Sequence, residues 1–247
     1  MHISLSAEKL FELGGFPITN TLLTSWIVVI LLALLAYFGT RKIKTVPHGI
    51  QNLLELIIEG LFNFFNTVWQ DRKKTKKYFP LLATLFIFII ISNWFGLLPG
   101  IGSIGFNEIE NGHEVFVPIF RSVNSDLNAT LSWAIISVLL AQIFGMFSLG
   151  TFSYLKKFFD FSNPVNFFVG ILEIVGETAK IISFSFRLFG NVFAGEVLLV
   201  VMTMLAPYIA PLPFYGLEIF VGFIQALVFT MLSLVFIKMA TEAHSQA

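Results

Sequence analysis

The residues of this sequence that can do chemistry are ionisable side chains set inside long apolar runs. Between Pro164 and Ala206 the chain carries Glu173, Glu177, Lys180, Arg187 and Glu196. At about 100° per residue, Glu177, Lys180, Arg187 and Asn191 all fall within about 40° of Glu173, a single helical stripe. Glu196 lies about 140° from Glu173 and opposite Arg187. The next apolar segment holds Glu218 and Gln225, seven residues apart and separated by only about 20°. Ionisable groups in hydrocarbon are costly, and they mark ion pathways and proton relays.

Arg187 is the strongest of these signals. A guanidinium keeps its charge under all conditions a protein meets. One helical turn away stand Ser183, Phe184, Gly190 and Asn191, none of them acidic. The counter-charge or water must therefore come from another helix or another subunit, and a functional reading outweighs a packing one. Glu177 and Lys180, three apart, can pair on the helix surface, so structure and function remain equally open for them. Gln225 reads as well as helix–helix glue, whereas a buried carboxyl such as Glu218 can exchange protons. Glu196 and Glu218 flank Pro207, Pro211 and Pro213. If the two helices pack antiparallel, both carboxyls and Gln225 line one water-filled entry.

These residues need elements to hold them, and composition limits the choice. Of the 247 residues, 56% are hydrophobic, thirty are Phe and only 12% are charged, about half the charged fraction of a soluble domain. A bilayer removes the need to expose large apolar patches to water. Helices are the form expected, because backbone groups facing lipid must be satisfied within their own segment. Spans are predicted at 22–39, 79–98 and 131–150, with a last helix at 213–243. The segment 164–206 would be about 64 Å long as one helix, twice the ~30 Å hydrocarbon thickness, so it either tilts far over or breaks. Ser162 or Asn163 is its candidate cap, with Pro164 in the first turn. Between the first two spans, Gln51, Asn52, Glu55, Glu59, Asn63, Asn66 and Gln70 share an arc of about 120°. That pattern predicts an interfacial amphipathic helix over 49–70, with surface anchoring and a protein partner equally open.

Basic residues set the orientation. Arg41, Lys42, Lys44, Arg72, Lys73, Lys74, Lys76, Lys77, Lys156, Lys157 and Lys238 fall on one side, and only Lys9 and Arg121 on the other. This predicts an outer N-terminus, an inner C-terminus and a single crossing by 164–206. Lys9, flanked by Glu8 and Glu12, does not read as the start of a cleavable signal. Zero net charge gives no argument for nucleic acid, and the absence of Cys excludes disulfides and thiolate metal sites. There is no phosphate loop, metal-ligand cluster or nucleophile with a base, and no cofactor is implied. His2, His48, His113 and His244 are scattered near termini and loops.

Around the arginine the sequence runs Ser185-Phe186-Arg187-Leu188-Phe189-Gly190-Asn191, then Ala194-Gly195-Glu196. This resembles the signature of subunit a of the F-type ATP synthases. Asn93 with Gly96-Leu97-Leu98-Pro99, Asp126-Leu127-Asn128-Ala129-Thr130-Leu131, Gln225-Ala226 with Phe229, and Met239-Ala240-Thr241-Glu242 extend the likeness over about 79–244. The resemblance implies an all-α integral membrane protein: an N-terminal transmembrane helix, an interfacial helix, a transmembrane hairpin and two long, steeply tilted helices. It implies no chemical active site in the isolated chain, and a role as the static half of a rotary proton channel.

Arg187 would then face a ring of carboxylate-bearing c subunits, with peripheral-stalk b subunits and the rest of the synthase as further partners. Glu196, Glu218 and Gln225 would form the outer half-channel, with Asp126 and Asn128 near its mouth. Glu173, Ser183 and Asn191 match positions of the inner exit path. Glu218 stands where some members carry His. A bacterial plasma membrane is expected, with an organelle inner membrane as the alternative. Two other classes fit the residues alone: a secondary transporter with a midplane site, for which inverted repeats are missing, and a scaffold whose charges serve assembly.

Overall fold

The computed structural model describes residues 7–41, 44, 49–110, 113–156, 158, 163–207 and 209–242. Lys42, Lys157, Ser162, His2, His48 and His244 lie outside them. Seven helices make up the bulk of the chain: α1 (Asn20–Thr40), α2 (Ile50–Trp69), α3 (Arg72–Gly96), α4 (Leu127–Leu149), α5 (Thr151–Lys156), α6 (Pro164–Leu205) and α7 (Pro211–Thr241). Five of them, α1, α3, α4, α6 and α7, are long and apolar enough to cross a bilayer. The protein is an all-α integral membrane protein. Two small antiparallel hairpins, β1 (Lys9–Leu13) with β2 (Phe16–Thr19) and β3 (Gly105–Glu110) with β4 (His113–Pro118), lie outside the spans. Apolar periodicity in these short stretches is too brief to signal strands, and the sequence analysis did not foresee them.

Local chemistry sets the helix ends. Thr19 accepts from the Leu22 amide to start α1 at 3.3 Å. Asp71 accepts from the amides of Lys73 and Lys74 at 2.9 and 3.3 Å. That cap draws the basic cluster into the first turns of α3, so this helix begins seven residues before the expected span. Asp126 caps α4 by accepting from the Asn128 amide at 2.9 Å. At α6, Asn163 takes the extended N-cap conformation without a side-chain bond, and Pro164 opens the helix. From there α6 continues unbroken for 42 residues, about 63 Å.

Cross-chain contacts place the helix ends in two groups. At one end, Asn20 donates to the Pro118 carbonyl at 3.3 Å and Thr21 to Asp126 at 3.0 Å. At the other, Lys74 pairs with Glu242 at 3.8 Å, Lys238 donates to the Val68 carbonyl at 3.1 Å, and Ser148 to the Thr241 carbonyl at 3.0 Å. The start of α1 and the end of α7 therefore lie at opposite ends of the bundle, with five long helices between them.

The core is a cluster of apolar side chains shared by α3, α4, α6 and α7, including Ile89, Leu188, Leu234 and Ile237. Helix α2 joins it through Leu61, Phe65 and Trp69, spaced four apart on one face, and Trp69 stacks on Tyr78 with centroids 4.8 Å apart. Asn52, Glu55, Glu59, Asn63 and Gln70 are exposed, and so are Leu53, Leu56 and Ile58. Polar, lipid-type apolar and protein-facing sides thus coexist on α2, which suits a helix lying at an interface while docked on α3.

Buried polar links fix α3 against α7 and the connector between α3 and α4. Asn93 donates to the Gly222 carbonyl at 3.0 Å and accepts from Asn124 at 2.8 Å, while Trp94 donates to the Ile219 carbonyl at 3.0 Å. Asn93→Ala would leave the Asn124 amide only its long 3.5 Å contact to the Ile89 carbonyl, would remove the donor to Gly222, and is expected to cost about 1–2 kcal/mol. Denaturation of the purified chain in mixed micelles would measure it, with Thr84→Ala as the exposed control.

Candidate functional site

Among the described residues, two cavities and the exposed guanidinium of Arg187 organise the charged side chains of α6 and α7. The larger cavity, about 320 Å³, opens where the end of α3 and the following Leu97–Gly102 stretch meet α6, α7 and the segment after β4. Glu196 and Glu218 both line it, together with Arg121, Tyr215, Asn93 and Ser122. Antiparallel packing of α6 and α7 across the Pro-rich turn brings the two carboxyls together from positions 22 residues apart in sequence.

Glu196 does not stand alone. The Arg121 Nε lies 3.1 and 3.2 Å from its two carboxylate oxygens, and Nη2 lies 3.2 Å from Oε2. The Arg121 side chain is only 5% exposed, with its guanidinium carbon 5.9 Å from the centre of the Phe193 ring. A planar fork suits such a paired carboxylate far better than an ammonium. From sequence, Arg121 reads only as an outer-loop charge. The available clue was that it is the one basic residue in an otherwise acidic connector between α3 and α4.

Glu218 is buried against the backbone of α6. A Cβ placed on Gly195 would sit 2.0–2.2 Å from the Glu218 carboxyl atoms, so this close approach needs glycine. Among the described residues, Glu218 makes no ion pair.

The other expected outer residues are placed differently. Gln225 is half-buried two turns further along α7 and does not line the cavity. Asp126 is buried, caps α4 and accepts from Thr21, and Asn128 is exposed beside it. Neither lines the cavity.

Arg187 lies on the opposite face of α6 and is exposed. Its neighbours on that face, Phe186, Gly190 and Ala194, are exposed too. Nη2 reaches the Ser183 hydroxyl at 3.4 Å, a long contact. Among the described residues no carboxylate lies within ion-pair distance of it. Asn191 is half-buried one turn on.

The smaller cavity, about 110 Å³, lies toward the other end of the bundle. Glu173, Glu177, Lys180, Tyr154 and Gln142 line it. Lys180 donates to Glu177 at 2.6 Å and lies 4.8 Å from the centre of the Phe236 ring. The Tyr154 hydroxyl donates to Gln142 at 2.5 Å. Burial, then the charges of Glu177 and Glu173, push the Tyr154 phenol up to about 12, so it remains a donor at any physiological pH. Glu173 thus shares its cavity with a residue of α5, a helix too short to be read from periodicity.

Five apolar helices with charged side chains lodged between them define a multi-pass integral membrane protein. Residues 22–238 match the family described as ATP synthase A chain. The chain is 32% identical to ATP synthase subunit a of Moorella thermoacetica over 236 residues, 96% of this chain and 97% of the relative. It is 34% identical to the Geobacter sulfurreducens subunit a over 237 residues, 94% and 91% of the two chains. For Campylobacter jejuni subsp. doylei the identity is 34% over 218 residues, 87% of each. The chain belongs to the subunit a family of F-type ATP synthases.

The Gly195–Glu218 contact carries a prediction. Gly195→Ala should displace the Glu218 carboxyl, the flexible end of its side chain, and cost about 1 kcal/mol. Adding Glu218→Ala should recover most of that loss, because the overlap disappears. Thermal denaturation of the four detergent-solubilised forms measures the coupling.

Proposed function

We propose that this chain is the static half of a rotary proton channel in the membrane sector of an F-type ATP synthase. In this reading it offers two offset half-channels to a ring of c subunits, each of which presents one carboxylate. The observation that carries the reading is Arg187: a permanent cation at mid-helix, exposed on an apolar face, with no carboxylate beside it among the described residues. A partner surface bearing carboxylates would supply the missing counter-charge.

The outer cavity, with Glu196 and Glu218, is the entry, and Gln225 continues it along the same face of α7. Asp126 and Asn128 belong to its surroundings by holding the start of α4. The inner cavity with Glu173 is the exit; Ser183 lies one turn from Arg187 on the side toward it, and Asn191 one turn beyond Arg187 on the side away from it. Neither cavity crosses the bundle alone, so a proton must ride the ring from one to the other. Each charge crossing supplies about 2.3 kcal/mol per 100 mV. Arg187 draws the ring carboxylate into its ionised form as it passes, and the proton leaves toward the exit.

The basic cluster at the start of α3 and Lys238 at the end of α7 support an inner placement of that end of the bundle, with the N-terminus outside. The bacterial relatives favour a plasma membrane. Peripheral-stalk b subunits are the expected neighbours on the non-ring side. Reporter fusions at Gly112 and Gln246 should fall on opposite sides, and a shared side would remove the assignment of entry and exit.

Arg187→Ala separates charge from packing. Gradient-driven ATP synthesis should vanish while the complex still assembles and hydrolyses ATP in detergent. Arg187→Lys retains a charge but replaces the fork with a hydrated ammonium, and synthesis should be lost there as well. Both are read in sealed vesicles alongside passive proton conductance. Substantial coupled synthesis by Arg187→Ala would falsify the mechanism.

A further inference from the structure

Glu196 and Glu218 share one cavity, yet among the described residues only Glu196 pairs with a cation. The titratable groups lining that cavity are Arg121 from the segment after β4, Glu196 from α6, and Tyr215 and Glu218 from α7. Arg121 engages Glu196 through Nε to both oxygens and Nη2 to one. Glu218 packs on the Gly195 backbone instead, where there is room for nothing larger than hydrogen.

We propose that Arg121 is the positioning residue of the entry: by engaging Glu196 it leaves Glu218 as the carboxyl that takes protons from outside and hands them on. The inference rests on the half-channel reading above and refines its entry. Two carboxyls in one small cavity would otherwise compete for the incoming proton and repel each other when ionised. Pairing one of them permanently gives the path a single exchangeable position, directly against the helix that carries Arg187 on its far face.

A purely structural tie is the competing account, and the connector's other bonds weigh against it. The Arg121 amide is held by Thr24 at 3.3 Å, Ser122 by the Ser92 carbonyl at 3.4 Å, and Asn124 by Asn93 at 2.8 Å. The segment is anchored on α1 and α3 through these bonds, without the guanidinium. What the guanidinium adds is charge at Glu196.

The test compares Arg121→Gln, Arg121→Lys, Glu196→Gln, Glu218→Gln and the double variant Arg121→Gln/Glu196→Gln in the complete synthase. Proton flow through the membrane sector is measured against outside pH in sealed vesicles and normalised to assembled complex. Arg121→Gln leaves the half-buried Glu196 carboxylate in the cavity without its cation, as a second group competing for the incoming proton, and flow should fall at least about tenfold. Removing that carboxylate as well should bring the double variant to within about threefold of the parent, with the parental pH profile. Arg121→Lys should fall between the two, and Glu218→Gln should flatten the profile.

If Arg121→Gln fails to assemble, the double variant should restore assembly. A double variant no better than Arg121→Gln in flow or assembly overturns the proposal. So does Glu196→Gln flattening the pH profile as Glu218→Gln does. Arg187→Ala in the same vesicles keeps the two levels apart. Retained synthesis there sinks the half-channel reading itself. Lost synthesis there, with no recovery in the double variant, sinks only the role of Arg121.

Discussion

A guanidinium in hydrocarbon can neither shed its charge nor leave it unanswered, and the arrangement of this bundle follows from having two of them. Arg121 is answered from within the chain, by Glu196 where the α3–α4 connector meets α6 at the wall of the larger cavity. Arg187 is not answered among the described residues, and it sits on the outside of the same helix. One arginine therefore closes a local account of charge, while the other leaves an open valence on the protein surface. In the proposed mechanism that open valence is what a moving carboxylate meets.

The remaining helices serve to keep these two arginines apart. Residues 187 and 196 are nine positions apart on α6, which puts them on opposite faces and about 13 Å apart along the axis. Helices α4 and α7 pack along the inward face of α6, filling it with Phe184, Leu188 and their neighbours. The polar bonds that hold this packing are short-range and mostly neutral, such as Ser137 with Ser233 at 2.6 Å and Thr130 with Ser185 at 3.1 Å. Of the charged groups on α6 and α7, Glu173, Glu177, Lys180, Glu196 and Glu218 line the two cavities, and Arg187 lies outside both.

Much of this was legible in the sequence, for identifiable reasons. Long apolar runs announce helices because lipid allows little else, and the stripe through Glu173, Arg187 and Asn191 follows from helical spacing alone. The meeting of Glu196 with Glu218 was readable because a Pro-rich turn between two long helices leaves antiparallel packing as the simplest course. Arg121 was not readable as their neighbour. Its approach to Glu196 depends on how a 30-residue connector, with its own β3–β4 hairpin, folds back over the bundle. Tyr154 was missed for a similar reason: α5 is six residues long, and only its packing brings that ring beside Gln142 and Glu173. Sequence periodicity reports which face of an element a residue is on, and says nothing about which loop will cover it.

The uninterrupted length of α6 has a mechanical side. An α-helix of 42 residues with its hydrogen-bond ladder intact behaves as a beam. This one is propped nine residues after Arg187 by the Arg121 contact at Glu196 and seven residues before it by Lys180 over Phe236. Arg187 sits near mid-span between those supports. Any tangential pull on its guanidinium from a sliding partner is thus carried as bending load to two distant bearings, and the helix need not yield where the load is applied. A break at that point, which would have made two ordinary spans, would have turned the same pull into a hinge.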